Sequence, residues 1–383
     1  MRYVTSGESH GRALTAIVTG VPAGIPLVQK SIDSDLARRQ VGYGRGGRMR
    51  IETDTGVILS GVRFGHTIGS PVTLAVTNRD WDNWTDVMSV WGDPSGSVRV
   101  TAPRPGHADL AGMMKMGTED IRDILERASA RETAARVAAG TVARALLSEL
   151  GVTVASFVSA IGDVEMDTPA DPSAIKSAVV EASDVRCPDS DVAVRMRAAI
   201  DAAKDVGESL GGLFYVTAVG LTPGLGTYSE ALGRLDARLA AAVCSIPAIK
   251  GVEFGDGFAA ARRPGSQVHD EIKLGGARGF TRPTNHAGGL EGGMSNGEPM
   301  ILRAAMKPIP TLMKPLTSVD IDTKQEVDAS KERSDVCAVP AAAVVAEAEV
   351  ALVLADAYCM KFGADSVDDL KAALDRYEAR IRP

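Results

Sequence analysis

The sequence predicts a layered α/β or α+β body, because strand-like and helix-like segments come in mixed order and lack the regular βαβ alternation of a doubly wound sheet. The first hundred residues are Gly-rich with short β-branched runs, whereas the later chain carries long stretches of helical periodicity. Ala13-Leu14-Thr15-Ala16-Ile17-Val18 and Val72-Thr73-Leu74-Ala75-Val76 read as strands joined by loops. From Thr118 to Leu150 the apolar residues Ile121, Ile124, Leu125, Ala128, Val142, Ala145, Leu146 and Leu150 recur at helix-face spacing. Thr118 is placed to cap that stretch, Glu119 and Asp120 suit its first turn, and Gly151 ends it. A polar, Asp-rich segment follows, then a second helical stretch from Asp191 to Lys204. Leu213 to Val219 reads as a buried strand, and the Gly-rich stretch from Lys250 to Gly297 is expected to form long ordered loops. Pro340 to Phe362 is an Ala/Val-rich helix stopped by Gly363. The tail opens on Ser366 with Asp369 three residues on, close to a capping box.

A chain of 383 residues can bury a large core. No Pro/Ser-rich linker cuts it, and no repeat with a period of about 20–50 residues is visible. A net charge of −7 argues against a molecule that seeks polyanions. No run of about 18 apolar residues suggests a membrane span. Met1 to Thr5 leads straight into a Gly-rich loop, unlike a secretory signal. Cys187, Cys244, Cys337 and Cys359 are far apart and form no CxxC. Reduced thiols in a cytoplasm fit better than a disulfide frame or a zinc site, and each cysteine is expected to be a buried small hydrophobe.

Two of the five histidines lie in Gly/Pro-rich loops beside charged residues: His10 in Ser6-Gly7-Glu8-Ser9-His10-Gly11-Arg12, and His107 in Arg104-Pro105-Gly106-His107-Ala108-Asp109. Histidine titrates nearest neutrality, and loops on a rigid scaffold commonly carry chemistry. Arginine is the second signal, with Arg38, Arg39, Arg45, Arg48 and Arg50 falling in thirteen residues among glycines. The planar guanidinium fork suits phosphate and carboxylate, and glycine lets backbone approach a ligand. This run is too short, and too closely flanked by strand-like sequence, for an RGG-type RNA segment.

Four more runs stand out. Glu126-Arg127-Ala128-Ser129-Ala130-Arg131-Glu132-Thr133 suits either an anion contact at an opened helical turn or a solvated helix face with i,i+4 pairs. Asn285-His286-Ala287-Gly288-Gly289-Leu290-Glu291-Gly292-Gly293-Met294 suits backbone packed on a flat ligand, or an ordinary mobile loop. Lys307-Pro308-Ile309-Pro310-Thr311 is a stiff stretch with one cation and one hydroxyl. Asp335, in Arg333-Ser334-Asp335, is placed either to charge the start of the following helix or to act as a base beside Arg333. No GxGxxG opens a strand-turn-helix unit, and no P-loop is present. The nearest metal-like set, Glu8, His10, His107 and Asp109, matches no helix-borne ligand spacing, so no metal is expected.

Together these motifs resemble the chorismate synthase family, in its longer bacterial type. Three blocks carry the resemblance: Gly7-Glu8-Ser9-His10-Gly11 on to Val21-Pro22, Glu126 to Thr133 on to Gly140, and Arg333-Ser334-Asp335 on to Glu347. The resemblance implies an α+β fold in one domain over residues 1–383, a β-α-β sandwich of mixed sheets with helices packed between or against them. It implies a lyase that turns 5-enolpyruvylshikimate 3-phosphate into chorismate and phosphate by anti-1,4-elimination of phosphate and a C6 proton, in the shikimate pathway. The family uses reduced FMN with no net redox change, and its members are usually cytoplasmic homotetramers. Reduction of the flavin by NADPH or by a separate reductase stays open. By the same resemblance His10, His107 and Asp335 are catalytic: His10 toward the leaving phosphate, His107 and Asp335 toward the flavin. Arg39 and Arg45 match positions for substrate or NADPH phosphate. Arg127, Ala128, Ser129, Pro247, Ala248, Gly292, Lys307, Pro308, Ile309, Pro310, Thr311 and Arg333 match flavin contacts. Family members commonly carry an amide residue at Pro247 and Ser or Thr at Pro310, so both positions here present backbone or shape.

Overall fold

The computed structural model describes residues 1–46, 53–93, 97–276, 279–330 and 335–382; Arg48, Arg50 and Arg333 lie outside the described residues. A first sheet is built from β1 (Arg2–Ser6), β2 (Ala13–Thr19), β3 (Gly56–Ser60) and β4 (Val72–Thr77), in the order β1-β2-β4-β3. A second contains β5 (Thr153–Ile161), β6 (Val164–Glu165), β7 (Gly212–Val219), β8 (Ile249–Phe254) and β9 (Met300–Met306), in the order β8-β9-β7-β5-β6. Pairing between these strands is antiparallel, and parallel pairing is confined to isolated bridges such as Ala23 with Ser366 and Leu210 with Cys337. The helices are α1 (Gln29–Gln40), α2 (Asp109–Met116), α3 (Arg122–Ala128), α4 (Thr133–Glu149), α5 (Ser190–Asp205), α6 (Leu235–Cys244), α7 (Val339–Phe362) and α8 (Val367–Ile381).

The strand patterns explain the layering. Val72, Leu74 and Val76 are buried while Thr73 and Ala75 are half-buried, so β4 turns one face to the core. Phe214 to Ala218 are buried without alternation, as a strand covered on both faces should be. Helix α4 packs on β2 and β4, α7 packs on β5 and β7, and the two helices pack on each other. The stack is therefore sheet, helices, sheet. Gly140 makes the helix contact possible: a Cβ there would lie 2.3 Å from the Ala348 Cβ.

Helix α7 is apolar nearly all round and buried nearly all round, as such a composition requires. Its two central acids are paired. Glu347 accepts from Arg38 at 2.8 Å, Arg144 at 2.7 Å and Ser156 Oγ at 2.6 Å; Glu349 accepts from the Tyr3 hydroxyl at 2.5 Å and Arg136 at 3.0 Å. Those bonds tie α1, α4, β1 and β5 to one central helix. Among the described residues, no helix is long and apolar enough to cross a membrane.

Four expectations need correction. The helical stretch from Thr118 to Leu150 is interrupted: α3 ends at Ala128, Ser129 is extended at ψ 145°, and a 3₁₀ turn over Ala130–Glu132 precedes α4. Apolar periodicity alone did not register the break, because Ile121 and Leu125 before it and Val142 and Leu146 after it all face the core. Thr118 does not cap α3; it bonds Asp120 and Asp123, while the Asp120 carboxylate accepts from the Arg122 amide at 3.0 Å. Cys244 is exposed at the end of α6, although Cys187, Cys337 and Cys359 are buried as expected. The Gly-rich stretch after Lys250 does hold loops, but it opens with the edge strand β8 and contains short hairpins such as Leu290–Glu291 with Met294–Ser295.

Candidate active site

The His10 loop is fastened from two sides. Asn78 donates to the carbonyls of Glu8 at 3.2 Å and Gly11 at 2.6 Å. Glu126 on α3 accepts from the His10 amide at 2.8 Å, and its two oxygens lie 2.9 and 3.0 Å from His10 Nδ1. The ring stacks on Trp84 with centroids 3.7 Å apart and planes 22° apart. Trp84 is itself held by its indole N–H donating to Asp80 at 3.0 Å. Arg122 donates to Glu126 at 3.3 Å, and its guanidinium lies 5.4 Å from the Trp84 ring centre. Burial alone would raise the Glu126 carboxyl, but the hydrogen bond and charge of His10 outweigh it and hold the group below its ordinary range.

The helix break at Ser129 belongs to the same cluster. Ser129 Oγ lies 3.2 Å from Ser9 Oγ, and it accepts from the Arg131 amide at 3.3 Å, which starts the 3₁₀ turn. The Ala130 carbonyl, which takes the Thr133 amide within the 3₁₀ turn, also accepts from Thr133 Oγ1 at 2.6 Å and Arg39 at 3.2 Å. Arg127 turns to the first strand instead, donating to the carbonyls of Gly7 at 3.1 Å and Thr5 at 2.9 Å. Ala128 is half-buried at the end of α3.

A second cluster surrounds His107. Its Nδ1 lies 2.5 Å from Asp109 Oδ1, and Asp109 also accepts from the Arg104 amide at 3.1 Å and Arg104 Nε at 2.8 Å. Burial would raise the Asp109 carboxyl, but the His107 and Arg104 hydrogen bonds prevail and hold it well below the usual carboxylate range. Arg104 also donates to Thr311 Oγ1 at 3.1 Å, and Lys307 Nζ donates to the Gly106 carbonyl at 2.5 Å. The stiff run 307–311 thus braces the histidine loop. Its far side is tied down by Ser209 Oγ donating to the Ile309 carbonyl at 2.6 Å, and by the Lys307 amide donating to the Ala248 carbonyl at 2.9 Å. Ala248, next to Pro247, adopts φ 71°, a left-handed conformation that strains a residue with a Cβ.

The third cluster holds Asp335. It accepts from the Gly46 amide at 2.6 Å and pairs with Arg45 at 3.1 Å. It does not cap α7, which starts at Val339 behind Ala338 and carries Pro340 in its first turn. Arg39, from the end of α1, lies among Arg45, Asp335, Asp54 and Arg131 and donates to Asp54 at 3.3 Å. Burial, with the neighbouring Arg131 and Arg45 charges, pushes the Arg39 guanidinium down to about 9 despite Asp54, which leaves it a cation at neutral pH.

The structure therefore joins the His10 loop to Ser129 through Ser9, the His107 loop to Lys307, Pro310 and Thr311 through Gly106 and Arg104, and Asp335 to Arg45, while Arg39 links the last pair to the helix break. Gly292 sits at the tip of a hairpin whose bridge runs to Gly226; it has φ 58°, and a Cβ there would meet nothing within 4 Å. Pro308 is exposed. Sequence reading missed Trp84, Asn78, Asp54, Arg122 and the roles of Glu126, Asp109 and Arg104. A second tryptophan four residues after an aspartate, in Arg79-Asp80-Trp81-Asp82-Asn83-Trp84, was the visible signal for the first.

Residues 1–359 match the model of a family described as chorismate synthase. The chain is 55% identical over 390 residues to the chorismate synthase of Trichlorobacter lovleyi, covering 100% of both chains. It is 58% identical over 377 residues to that of Symbiobacterium thermophilum, covering 96% of each, and 52% identical to that of Aquifex aeolicus. A solved structure titled "Crystal Structure of Chorismate Synthase" superposes with a TM-score of 0.81 at 42% identity, covering 100% of this chain and 98% of the other.

Proposed function

The chain belongs to the chorismate synthase family, and from that membership we propose that it removes phosphate and a C6 proton from 5-enolpyruvylshikimate 3-phosphate to give chorismate. The observation that carries the reading is the pairing of two loop imidazoles, each with Nδ1 on a buried carboxylate and each beside an arginine. Such wiring commits Nδ1 and leaves Nε2 as the nitrogen for proton transfer or phosphate binding.

The residues fit a phosphate-bearing substrate and an anionic flavin. Among the described residues, buried Arg122 Nε has no hydrogen-bond partner, while the terminal nitrogen of the same guanidinium shares Glu126 with His10, a donor set that suits an anion. Ser129 interrupts its helix beside Ser9, so backbone is presented there where a continuous helix would close it off. Reduced FMN, when bound, supplies the transient electron that a redox-neutral elimination of this kind needs. Ser129, Ala128, Ala248, Lys307 and Thr311 would line it, with Arg127, Pro247, Gly292, Pro308, Ile309, Pro310 and Arg333 completing the set that the family resemblance assigns. His10 donates a hydrogen bond or proton from Nε2 to the departing phosphate. His107 holds a proton at Nε2 toward the cofactor. Asp335, paired with Arg45, favours the acceptance of the substrate proton nearby. Arg39 and Arg45 offset the charge that develops as phosphate leaves.

We further propose a cytoplasmic homotetramer acting on a small molecule, with reducing equivalents from NADPH or from a separate reductase. The decisive experiment is an anaerobic assay with reduced FMN and the enolpyruvyl substrate. Release of phosphate together with chorismate is expected; absence of phosphate overturns the reading. Sedimentation checks the tetramer, and replacing dithionite by NADPH shows which reductant suffices.

A further inference from the structure

We propose that Asp109 is a positioning residue that fixes the proton of neutral His107 on Nδ1 and so dedicates Nε2 to proton delivery. The proposal deepens the lyase reading and depends on it only in its kinetic arm.

The geometry decides the proton. His107 Nδ1 lies 2.5 Å from Asp109 Oδ1 and 3.1 Å from an Arg104 terminal nitrogen, which is itself 3.2 Å from the same Oδ1. A guanidinium nitrogen has only protons to offer. Were Nδ1 a bare lone pair, it would face the aspartate oxygen as acceptor against acceptor. With Nδ1 protonated, both the ring and Arg104 donate to one oxygen, and their 3.1 Å approach is that of two donors converging on a shared acceptor.

Asp109 must remain anionic for this to hold. Arg104 supplies the reason: its amide and Nε donate to Oδ2 while the terminal nitrogen reaches Oδ1, so the carboxylate is gripped on both oxygens. The side chains of Asp109 and Arg104 are 1% and 7% exposed, against 15% for His107. Only the imidazole of the three keeps a useful opening to a ligand. Thr311 and Lys307 lock the remaining freedom, the first on Arg104 and the second on the Gly106 carbonyl. Among the described residues, the charged groups bonded to the ring or its loop are Asp109, Arg104 and, through the Gly106 carbonyl, Lys307. In the catalytic step the imidazolium releases its proton from Nε2 and returns to the neutral Nδ1–H form, with Asp109 charged before and after. An aspartate that merely closed the loop would change stability and leave the tautomer to chance.

The test starts on unaltered protein, with His107 resonances assigned by comparison with His107→Gln. The ¹⁵N imidazole spectrum of the neutral ring is expected to show Nδ1 protonated; a protonated Nε2 overturns the proposal whether or not any variant folds. Asp109→Asn is then expected to mix the tautomers and to lower kcat about 10- to 10²-fold with KM nearly unchanged. Asp109→Glu is expected to recover part of kcat. An unchanged kcat in Asp109→Asn overturns the proposal. Absence of elimination by the unaltered enzyme overturns the lyase reading instead, and the tautomer result stands apart from it.

Discussion

The two imidazole clusters share a plan and differ in how far the chain travels to build it. His107 takes its carboxylate from two residues along, Asp109, and its arginine from three residues back, Arg104. His10 takes Glu126 and Arg122 from α3 and its stacking ring from Trp84. One site is a local turn, while the other exists only when three segments pack together. The same proton wiring is thus reached by a sequence-local route and a tertiary route, and distant changes should reach the second more easily.

The largest test of this contrast removes the rings. His10→Ala and His107→Ala are each expected to lower turnover by about 10²- to 10⁴-fold, with unchanged thermal unfolding; near-wild-type turnover in either would remove that histidine from the mechanism. Next comes the tertiary carboxylate. Glu126→Ala strands half-buried Arg122 and unties the His10 loop, and should cost about 1–3 kcal/mol in urea unfolding. A third test separates packing from chemistry: Gly140→Ala forces α4 from α7 and should cost about 1–3 kcal/mol while leaving kcat in place. The smallest effect is expected at the stacked ring, where Trp84→Leu should lose about 0.5–1.5 kcal/mol of stacking and weaken the His10 site while His107 reports no change by NMR.

Acid supplies a further comparison. Glu126 and Asp109 are both held below their ordinary values, so the unfolded chain binds more protons than the folded one in mild acid. Their stabilisation is complete above the unfolded carboxylate pKa of about 4 and is lost as pH falls through the lower folded values. Urea midpoints measured downward from pH 6 should fall below pH about 5, and Glu126→Gln or Asp109→Asn should flatten that fall.

Much of the architecture was legible. The alternation of Val72, Leu74 and Val76, the uniform burial of Phe214 to Ala218 and the all-apolar α7 each follow from local pattern, because burial of one face or of all faces leaves a direct compositional trace. Apolar periodicity did not decide the break at Ser129, since residues on both sides keep facing the core; an opened turn stood there as one of two alternatives. Within the site, local spacing exposed His107 beside Asp109, but it had no means to couple His10 to Glu126 or Trp84, which approach only through folding. Nor did any spacing show Arg39 and Arg131 sharing Asp54. The resemblance, and not periodicity, supplied the roles of Asp335, Ala248 and Gly292.

Asp335 lies four residues ahead of the first residue of α7. That helix has almost no solvent face, so it can neither roll nor slide without stripping apolar surface from the layers on both of its sides. The carboxylate thus stands just ahead of a helix gripped on both sides, and Val336 beside it is bonded to both Gly44 and Leu210. An incoming anion therefore meets a carboxylate whose backbone is anchored, with the Arg45 guanidinium as its partner.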